Sequence, residues 1–480
     1  MAQVAPGARF LSDVPVRLDR LPWSRWHTRV LVALGVTWML NGLEVTLVGA
    51  VAPLLAAPDA LGLSEAQIGG TATAYLAGAV AGALFFGRLS DMFGRKRLFF
   101  VTLSLYVGAT AMTAAAWSFA SFAAFRALTG AGIGGESAAV NSAIDELVPA
   151  RVRGRADLAI NSTYWLGTIL GASLTLALLH APLPSKTPVW RLAFLIGAIL
   201  GSAILFLRNH LPESPRWLLL HGRVDEASAV VTSIERHVAK SRARSGRSTP
   251  PAIPARQQWL EAKGSVTFGV IVREFARRHP RRTLLGLALM VAQAFAYNGV
   301  FFTYALVLGR FYGVSTDDVG LYLIPFAVGN LLGPVLLGRL FDTVGRRPMI
   351  ATTYTLAGLL IAAAGYGMLR GWLTAETQTA AWCVAFFVAS AAASSAYLTV
   401  SELFPVELRG MAIALFYAVG TSVGGLVAPA LFAALVQTGD RPSVFAAYAV
   451  AASLMIAGGV AAAVWGVPAE GKSLEQIAEM

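Results

Sequence analysis

Three ionisable residues lie inside apolar stretches of this chain that otherwise hold little charge. Glu44 lies in the stretch 30–55, and Arg126 and Glu136 lie in the stretch 120–146. Each stretch is long enough to cross the hydrocarbon core of a bilayer, where an ionisable residue is costly and usually functional. A buried carboxyl beside a guanidinium can bind and release a proton as its surroundings change. The sequence therefore predicts Glu44, Arg126 and Glu136 as proton-coupling residues.

Glu44 and Arg126 are expected at the same depth. Glu44 lies about 14 residues into its stretch, and Arg126 lies about six residues into a stretch that runs the opposite way. At about 1.5 Å per residue, both side chains lie roughly 9 Å from the same face of a ~30 Å core. The two residues should therefore pair. A pair that carries a proton and a static salt bridge that only holds helices together both remain open.

Glu136 lies ten residues after Arg126, near the middle of the membrane. Three roles are open for this second acid: a relay for the proton, a contact to the solute, or a partner for a neighbouring polar group.

Twelve apolar segments must position these residues. Of the 480 residues, 56% are hydrophobic and 13% are charged, about half the charged fraction of a soluble domain. A large soluble helical protein is excluded, because such segments have no polar face to present to water. The predicted spans are 30–55, 66–88, 98–119, 120–146, 156–179, 190–211, 283–308, 319–340, 348–369, 379–402, 410–437 and 443–466.

Two loop motifs each occur twice, about 250 residues apart. The first copies of Gly-Arg-Leu-x-Asp-x-x-Gly-Arg-Arg/Lys and Glu-x-x-Pro-x-x-x-Arg-Gly lie at 87–96 and 146–154. The second copies lie at 338–347 and 402–410. Two copies of one largely apolar unit are typical of transporters built from membrane-embedded repeats.

The distribution of charge predicts the orientation of the chain. The formal net charge is +12, and Arg and Lys concentrate before the first span and in alternate loops after it. This asymmetry follows the positive-inside rule and predicts that both termini are cytoplasmic. A basic surface facing anionic lipid explains the charge without a nucleic-acid partner.

Five regions follow from the spans and the loops. We expect short amphipathic helices on the membrane surface at 224–238 and 257–275, and disorder in the segment 241–251, which is rich in Arg, Ser and Pro. The regions are an N-terminal tail 1–29, a six-helix half 30–211, a cytoplasmic linker 212–282, a second half 283–466 and a C-terminal tail 467–480.

Two further motifs flank the halves: Pro-Glu-Ser-Pro-Arg-Trp at 212–217 and Pro-Ala-Glu-Gly-Lys-Ser-Leu-Glu at 468–475. With the doubled loops, they make the chain resemble the major facilitator superfamily, and within it the sugar porters, over almost its whole length. The resemblance implies an all-α membrane protein with twelve transmembrane helices in two pseudo-symmetric six-helix halves. Such halves rock about a central site and use ion gradients.

The resemblance also covers the predicted proton pair. In proton-coupled sugar porters an acid follows a Gly-aromatic pair in the first span, and an Arg opens an Arg-x-x-x-Gly-x-Gly-x-Gly pattern in the fourth. Gly42-Leu43-Glu44 and the segment 126–134 occupy those places here, with Glu in place of the usual Asp.

The doubled loops are expected to form a cytoplasmic gate. Asp91 and Asp342 can accept backbone N–H bonds at a helix N-terminus, and the arginines that follow can bridge to Glu146 and Glu402. By the resemblance, this network closes the cytoplasmic side; the alternative is that the arginines only set the topology. The predicted gate residues are Asp91, Arg95, Glu146, Arg153, Asp342, Arg346, Glu402 and Arg409.

By the same resemblance, amides and aromatic residues in the middle of the spans form the solute site. Neutral amides suit a neutral hydroxylated solute, since they donate and accept without a fixed charge. Several positions depart from the sugar porters, with Asn161 for Gln, Tyr397 for Trp, and Gly420-Thr421 for Asn/Gln-Trp. The predicted substrate-binding residues are Asn161, Trp165, Gln293, Tyr297, Asn298, Asn330 and Tyr397, with Tyr164, Tyr304, Phe416 and Tyr417 as further aromatic candidates.

These observations predict a secondary active transporter, namely a proton symporter of a sugar or a similar small polar metabolite. The alternatives are a symporter of an organic or aromatic acid and an uncoupled facilitator. An enzyme is not expected, because the chain has no phosphate-binding loop after a strand and no metal-ligand spacing among its histidines. We expect no cofactor beyond the proton as coupling ion, a monomer, and a multi-pass location in the cell membrane, which in bacteria is the inner membrane.

Overall fold

The computed structural model describes residues 9–181, 188–208, 212–245, 258–261, 268–315, 318–405 and 409–479. In these ranges the chain is helical apart from two short strands and the connecting loops. The elements are β1 (Arg9–Ser12), α1 (Val14–Arg20), α2 (Arg25–Ala56), α3 (Glu65–Phe93), α4 (Arg95–Ala114), α5 (Phe119–Leu147), α6 (Arg153–His180), α7 (Val189–Arg208), α8 (Pro215–Leu220), α9 (Val224–Ala243), β2 (Gln258–Glu261), α10 (Phe268–Arg278), α11 (Pro280–Tyr312), α12 (Val319–Thr343), α13 (Arg346–Leu369), α14 (Ala375–Leu403), α15 (Arg409–Gly420), a π-helical segment (Thr421–Val427), α16 (Ala428–Gln437), α17 (Arg441–Trp465) and α18 (Leu474–Glu479).

Within the described ranges, ten helices are long and apolar enough to cross a membrane, with α15, the π-helical segment and α16 counted as one. The other two predicted spans are occupied by α5, which is rich in Gly, Ser and ionisable residues, and by α7, whose apolar part covers Val189–Ala203. The predicted helical membrane fold is thereby confirmed, with one short two-stranded sheet added outside the two halves.

The helices form two similar groups, α2–α7 and α11–α17. The groups meet in two matched helix pairs, because α3 packs on α15 and α12 packs on α6. Their corresponding helices also begin alike: α5 starts with a capping box at Ser118 and Ser121, and α14 starts with one at Thr374 and Thr377. The repeat that the sequence motifs indicate is therefore a repeat of structure.

Glycine is required at one point of each doubled loop. Gly94 ends α3 with φ +96°, and Gly345 occupies the matching place before α13 with φ +120°. Residues other than glycine rarely adopt a backbone conformation with a positive φ of this size. The two glycines therefore allow the abrupt turn that starts α4 and α13 with an arginine.

Helices α3 and α5 approach each other closely. A Cβ atom on Gly130 would meet the backbone oxygen of Tyr75, and one on Gly134 would meet the backbone oxygen of Ala79. The glycine pattern after Arg126 is thus a packing surface for α3. It holds the face of α3 that carries Tyr75 against Arg126.

The segments outside the halves differ from the prediction in three ways. Residues Gln258–Glu261, expected within a helix, form a strand antiparallel to Arg9–Ser12, and the described helix of this region, α10, covers Phe268–Arg278. The apolar face of α9 packs on α1 and α8 rather than on lipid. Disorder was expected from residue 241, but α9 extends to Ala243, and the rest of that segment from residue 246 lies outside the described residues.

Candidate functional site

A cavity of about 180 Å³ lies between the two groups of helices. Its walls come from α2, α3 and α6 on one side and from α11, α14, α15 and the π-helical segment on the other. Six of the seven predicted solute residues line it, namely Asn161, Trp165, Gln293, Tyr297, Asn298 and Tyr397, together with Trp38, Asn41, Val45, Tyr75, Leu76, Tyr164, Ala294, Phe301, Ser390, Ala393, Ser394, Tyr417 and Thr421.

Asn330, the seventh predicted residue, lies behind the cavity wall. Its side chain is fully buried, and its Oδ1 accepts a hydrogen bond of 2.7 Å from the hydroxyl of Tyr297. Asn330 therefore orients a residue of the wall instead of lining the cavity itself. Tyr304 and Phe416, two further aromatic candidates, are likewise buried away from the lining.

All described lining residues are uncharged. They offer amide, hydroxyl and indole groups beside several aromatic rings, such as Trp165, which lies 5.8 Å from Tyr297 between ring centroids. Such a wall can hydrogen-bond a small polar solute and cover a flat ring face.

Sequence reasoning missed several lining residues. Asn41 precedes Glu44 by one helical turn, and that spacing places both on one side of α2. Ser390 and Ser394 form a similar stripe on α14. A π-helical segment, a local structure that often occurs at functional sites, starts at Thr421, and no sequence pattern predicted it.

Glu44 and Arg126 pair in the N-terminal half. Both side chains are almost fully buried, and Nη1 of Arg126 donates a hydrogen bond to Oε1 of Glu44. Tyr106 and Thr110 lie beside the Glu44 carboxyl. The structure thus brings together the two residues whose depths matched in the sequence.

Tyr75 lies between this ion pair and the cavity. Its ring centroid is 4.5 Å from Cζ of Arg126, and its hydroxyl donates a 3.1 Å hydrogen bond to Oδ1 of Asn41. Tyr75 and Asn41 both line the cavity, whereas Glu44 and Arg126 do not. A change at the ion pair can therefore reach the cavity through one aromatic ring.

Glu136 is buried near the cavity but is not part of its lining. It borders a separate small space of about 10 Å³ together with Trp38 and Asn41. These two residues are shared by both spaces, so Glu136 lies one side chain behind the cavity wall.

On the face that carries the doubled loops, each half forms the same internal ion pair. Nη2 of Arg95 lies 2.9 Å from Oε1 of Glu146, and Nε of Arg346 lies 3.1 Å from Oε2 of Glu402. All four side chains are buried. These pairs fix the arginines in place within their own halves.

The predicted gate aspartates bind across the halves. Asp342 accepts backbone hydrogen bonds of 3.0 Å from Gly154 and 2.9 Å from Arg155, at the start of α6. Asp91 accepts one of 3.2 Å from Met411, at the start of α15. Both carboxylates thus lie at the positive end of a helix dipole in the opposite half.

Two arginines add ion pairs across the halves. Arg153 lies 3.5 Å from Glu402, and Arg409 lies 3.8 Å from Asp145 and 3.9 Å from Glu146. Asp145 was not among the predicted gate residues. The predicted gate residues therefore contact one another across the halves, which is the arrangement expected of a closed gate.

The tails and the linker contact this network through Asp19, Arg216 and Glu475, of which Arg216 and Glu475 belong to the two flanking motifs. Asp19 of α1 lies 3.2 Å from Arg153 and 3.0 Å from Arg216 of α8, and Arg216 also lies 3.0 Å from Glu475 of α18. Burial raises the pKa of Glu475, but the charge of Arg216 and the hydrogen bonds to the carboxylate together hold that pKa below its ordinary value. Three segments outside the halves therefore meet at one guanidinium.

Each of the two flanking motifs contributes a glutamate that caps a helix start, one in each half. Glu213 accepts a hydrogen bond of 3.0 Å from the backbone N–H of Arg95, the first residue of α4. Glu470 accepts one of 3.2 Å from the backbone N–H of Arg346, the first residue of α13. Each acid therefore stabilises the start of the helix that carries a gate arginine.

Comparison with known proteins places the chain among membrane transporters. Residues 31–480 match the family described as sugar (and other) transporter. The niacin transporter NiaP of Acinetobacter baylyi is 27% identical over 467 residues, which is 97% of this chain and 99% of the relative. The major myo-inositol transporter IolT of Bacillus subtilis is 26% identical over 378 residues, or 78% of either chain.

A solved structure shares the fold. The proton:xylose symporter XylE, bound to 6-bromo-6-deoxy-D-glucose, aligns with a TM-score of 0.74 over 94% of this chain and 98% of that chain. The sequence identity in this alignment is 20%, so the match shows the fold alone.

Proposed function

Since the chain belongs to the sugar (and other) transporter family of the major facilitator superfamily, it is a multi-pass membrane transporter and not an enzyme, and we propose that it carries a small metabolite together with a proton. The observation that supports proton coupling most is the buried pair of Glu44 and Arg126, separated from the cavity by Tyr75. A static salt bridge would not need such a contact to the solute site.

The proton would bind the Glu44 carboxylate and neutralise it. A neutral Glu44 no longer holds Arg126 by charge, so the guanidinium shifts its interaction towards Tyr75 and the cavity. The rocking of the two halves then exposes the pair to the other side, where Glu44 loses the proton and pairs with Arg126 again. Glu44 would thus carry one proton across the membrane in each cycle.

The cavity favours a small neutral solute with several hydroxyl groups. Its described lining is uncharged, its amides can both donate and accept, and its volume of about 180 Å³ suits a molecule no larger than a monosaccharide or a cyclitol. Relatives with matching names, the myo-inositol transporter IolT and the proton:xylose symporter XylE, support this class.

A small aromatic acid is the second candidate. Trp38 lies 5.7 Å from Tyr397 between ring centroids, and Trp165 lies close to Tyr297, so a flat ring has aromatic partners in the cavity wall. The niacin transporter NiaP matches almost the whole chain. Arg126, behind Tyr75, is a cation that a carboxylate could use.

The test is uptake into proteoliposomes with an imposed pH gradient. A thermal-shift screen of monosaccharides, myo-inositol and nicotinate first identifies the solute. The parent protein should accumulate it against its gradient, and a protonophore should abolish the accumulation. Glu44→Gln should lose the accumulation yet keep counterflow exchange, while Glu376→Gln, at an exposed acid of α14, should match the parent. Accumulation by Glu44→Gln would exclude the proposed coupling.

A further inference from the structure

Asp157 is a buried acid that the coupling mechanism above does not use. It lies on α6, one turn after the gate residue Arg153 and one turn before Asn161, which lines the cavity. Its side chain is fully buried. Asp157 therefore occupies the barrier between the cavity and the closed gate.

The contacts of Asp157 do not suit a carboxylate. Its Oδ2 accepts a hydrogen bond of 3.0 Å from Nδ2 of Asn161, and its Oδ1 is buried without a hydrogen-bond partner among the described residues. A buried carboxylate is stable only when its oxygens are paired or bonded to donors. One neutral amide is a weak substitute for a counter-charge.

The charged groups that face Asp157 come from three other helices. Asp145 of α5 and Glu402 of α14 repel a carboxylate, and Arg346 of α13 attracts it. Arg346 is already bound to Glu402 and to Asp342, at 3.1 Å and 2.8 Å. The surroundings of Asp157 therefore contain two acids and no arginine that is available to it alone.

We propose that Asp157 is a second proton-binding carboxyl, which holds a proton while the gate is closed and releases it when the gate opens. Opening separates α6 from the opposite half and admits water, and water stabilises the carboxylate. A proton leaves Asp157 as H⁺ and returns when the gate closes; no other bond changes. The inference rests on the alternating-access cycle proposed above but not on the role of Glu44.

This assignment links the gate to pH and to the solute. Because only the closed form holds the proton, acid pH favours the closed gate and alkaline pH favours the open gate. For one proton, the ratio of open to closed protein rises by up to about tenfold per pH unit. A solute that bonds to Asn161 would also take the amide away from Asp157.

The experiment measures gate opening directly, without transport. Spin labels at Met92 and Val344, exposed positions at the gate face in opposite halves, report the separation of the halves in a Cys383→Ser background. Distances between the labels are measured in nanodiscs from about pH 5 to about pH 9. The parent should move from a short to a long distance as the pH rises.

Three variants decide the outcome. Asp157→Asn should keep the short distance at every pH, and Asp157→Glu should keep the transition but move its midpoint. Glu376→Gln, at an exposed acid of α14, should keep the parent's transition. The distances are measured without solute transport, so a failure of the proton-symport proposal would not affect this result. A parent without a transition, an Asp157→Asn variant with the parent's transition, or an Asp157→Glu variant with an unmoved midpoint would each overturn the assignment.

Discussion

The two halves share one repeat but hold different residues at matching positions. Arg126 lies twenty residues before Glu146, and Trp382 lies twenty residues before Glu402. Arg126 pairs with Glu44, whereas Trp382 packs its ring 4.8 Å from the ring of Tyr304. The place of an ion pair in the N-terminal half is thus taken by an aromatic pair in the C-terminal half.

Two other acids of the N-terminal half lack a counterpart. Glu136 lies ten residues before Glu146, and the matching place before Glu402 holds Ala392. Asp157 lies four residues after Arg153, and the matching place after Arg409 holds Ile413. At these compared positions the buried carboxyl groups are therefore found in the N-terminal half, while the C-terminal half holds uncharged side chains.

The gate shows the opposite behaviour, since its parts recur in both halves. Arg95 and Arg346, with their acids, are matched residue by residue, and both aspartates bind the start of an opposite helix. In the proposed mechanism, the duplicated contacts serve the movement of the halves. The residues that differ between the halves serve the proton and the solute.

The largest effect is expected when the charged pair of the N-terminal half is replaced by neutral residues, since the matching position of the C-terminal half is neutral. Arg126→Gln leaves the Glu44 carboxylate buried without its partner, so we expect a loss of stability of about 3–5 kcal/mol and no uphill uptake. Combining it with Glu44→Gln should restore the thermal unfolding temperature but not the uptake. An Arg126→Gln protein as stable as the parent would contradict the ion pair.

The next test sharpens the comparison at the gate. Asp342 accepts two backbone hydrogen bonds and Asp91 accepts one, and a hydrogen bond to a charged group contributes about 1.5–3 kcal/mol. Asp342→Ala should therefore raise the open-to-closed ratio at least about tenfold more than Asp91→Ala. The spin-label pair described above measures this ratio. Equal opening in the two variants would show that the bonds are not the closing force.

A smaller effect is expected from removing one hydroxyl in each half. Tyr75→Phe loses the bond to Asn41 but keeps the ring on Arg126, so the half-saturation concentration of uptake should rise by about 2–10-fold. Tyr304→Phe loses the bond to the Tyr322 oxygen and should lower stability by about 1 kcal/mol without changing half-saturation. An equal rise of the half-saturation concentration in both variants would show that Tyr75 does not connect the ion pair to the cavity.

The smallest effect concerns the C-terminal tail. Because the pKa of Glu475 is lowered in the folded protein, its contribution to stability is present above its ordinary pKa of 4.5 and is lost as the pH falls through the lowered value. The protection factors of the α18 amides, which compare the measured exchange rate with the intrinsic rate at the same pH, should therefore fall in acid, and Glu475→Gln should show the low protection at every pH. Protection of α18 that stays constant with pH in the parent would contradict the pairing with Arg216.

Much of the fold could be predicted from the sequence because membrane helices are specified locally. A helix that crosses a bilayer must satisfy its own backbone, so length and hydropathy suffice to find α2, α11 or α17. The pairing of Glu44 and Arg126 could be predicted because both residues were expected at the same distance from one face of the membrane. The bilayer normal gives two segments that are distant in sequence a common direction along which their depths can be compared. The strand at Gln258–Glu261 was missed because its partner, Arg9–Ser12, is far away in the chain.

The candidate site was only partly predictable for the same reason. Amides such as Asn161 and Gln293 stand out in apolar spans, whereas Ser390 and Tyr75 do not. Asn330 has the residue type of a solute contact, but only its bond to Tyr297 shows that it supports the wall. Asp157 was not predicted as a site residue, because an acid near the end of a predicted span is usually exposed at the membrane surface. Only the tertiary structure shows that packing against other helices buries it.

By itself, the sequence determined the helices, their repeat and the depth of the buried charges, since each depends on the chain's own hydropathy within a bilayer. Only the tertiary structure decided which side of each helix faces the cavity and which helix starts meet Asp91 and Asp342. Those choices depend on close contacts between helices distant in sequence, such as the approach of α3 to α5 at Gly130 that lays Tyr75 on Arg126. Hydropathy carries no information about such contacts, because every packed face of a membrane helix is apolar.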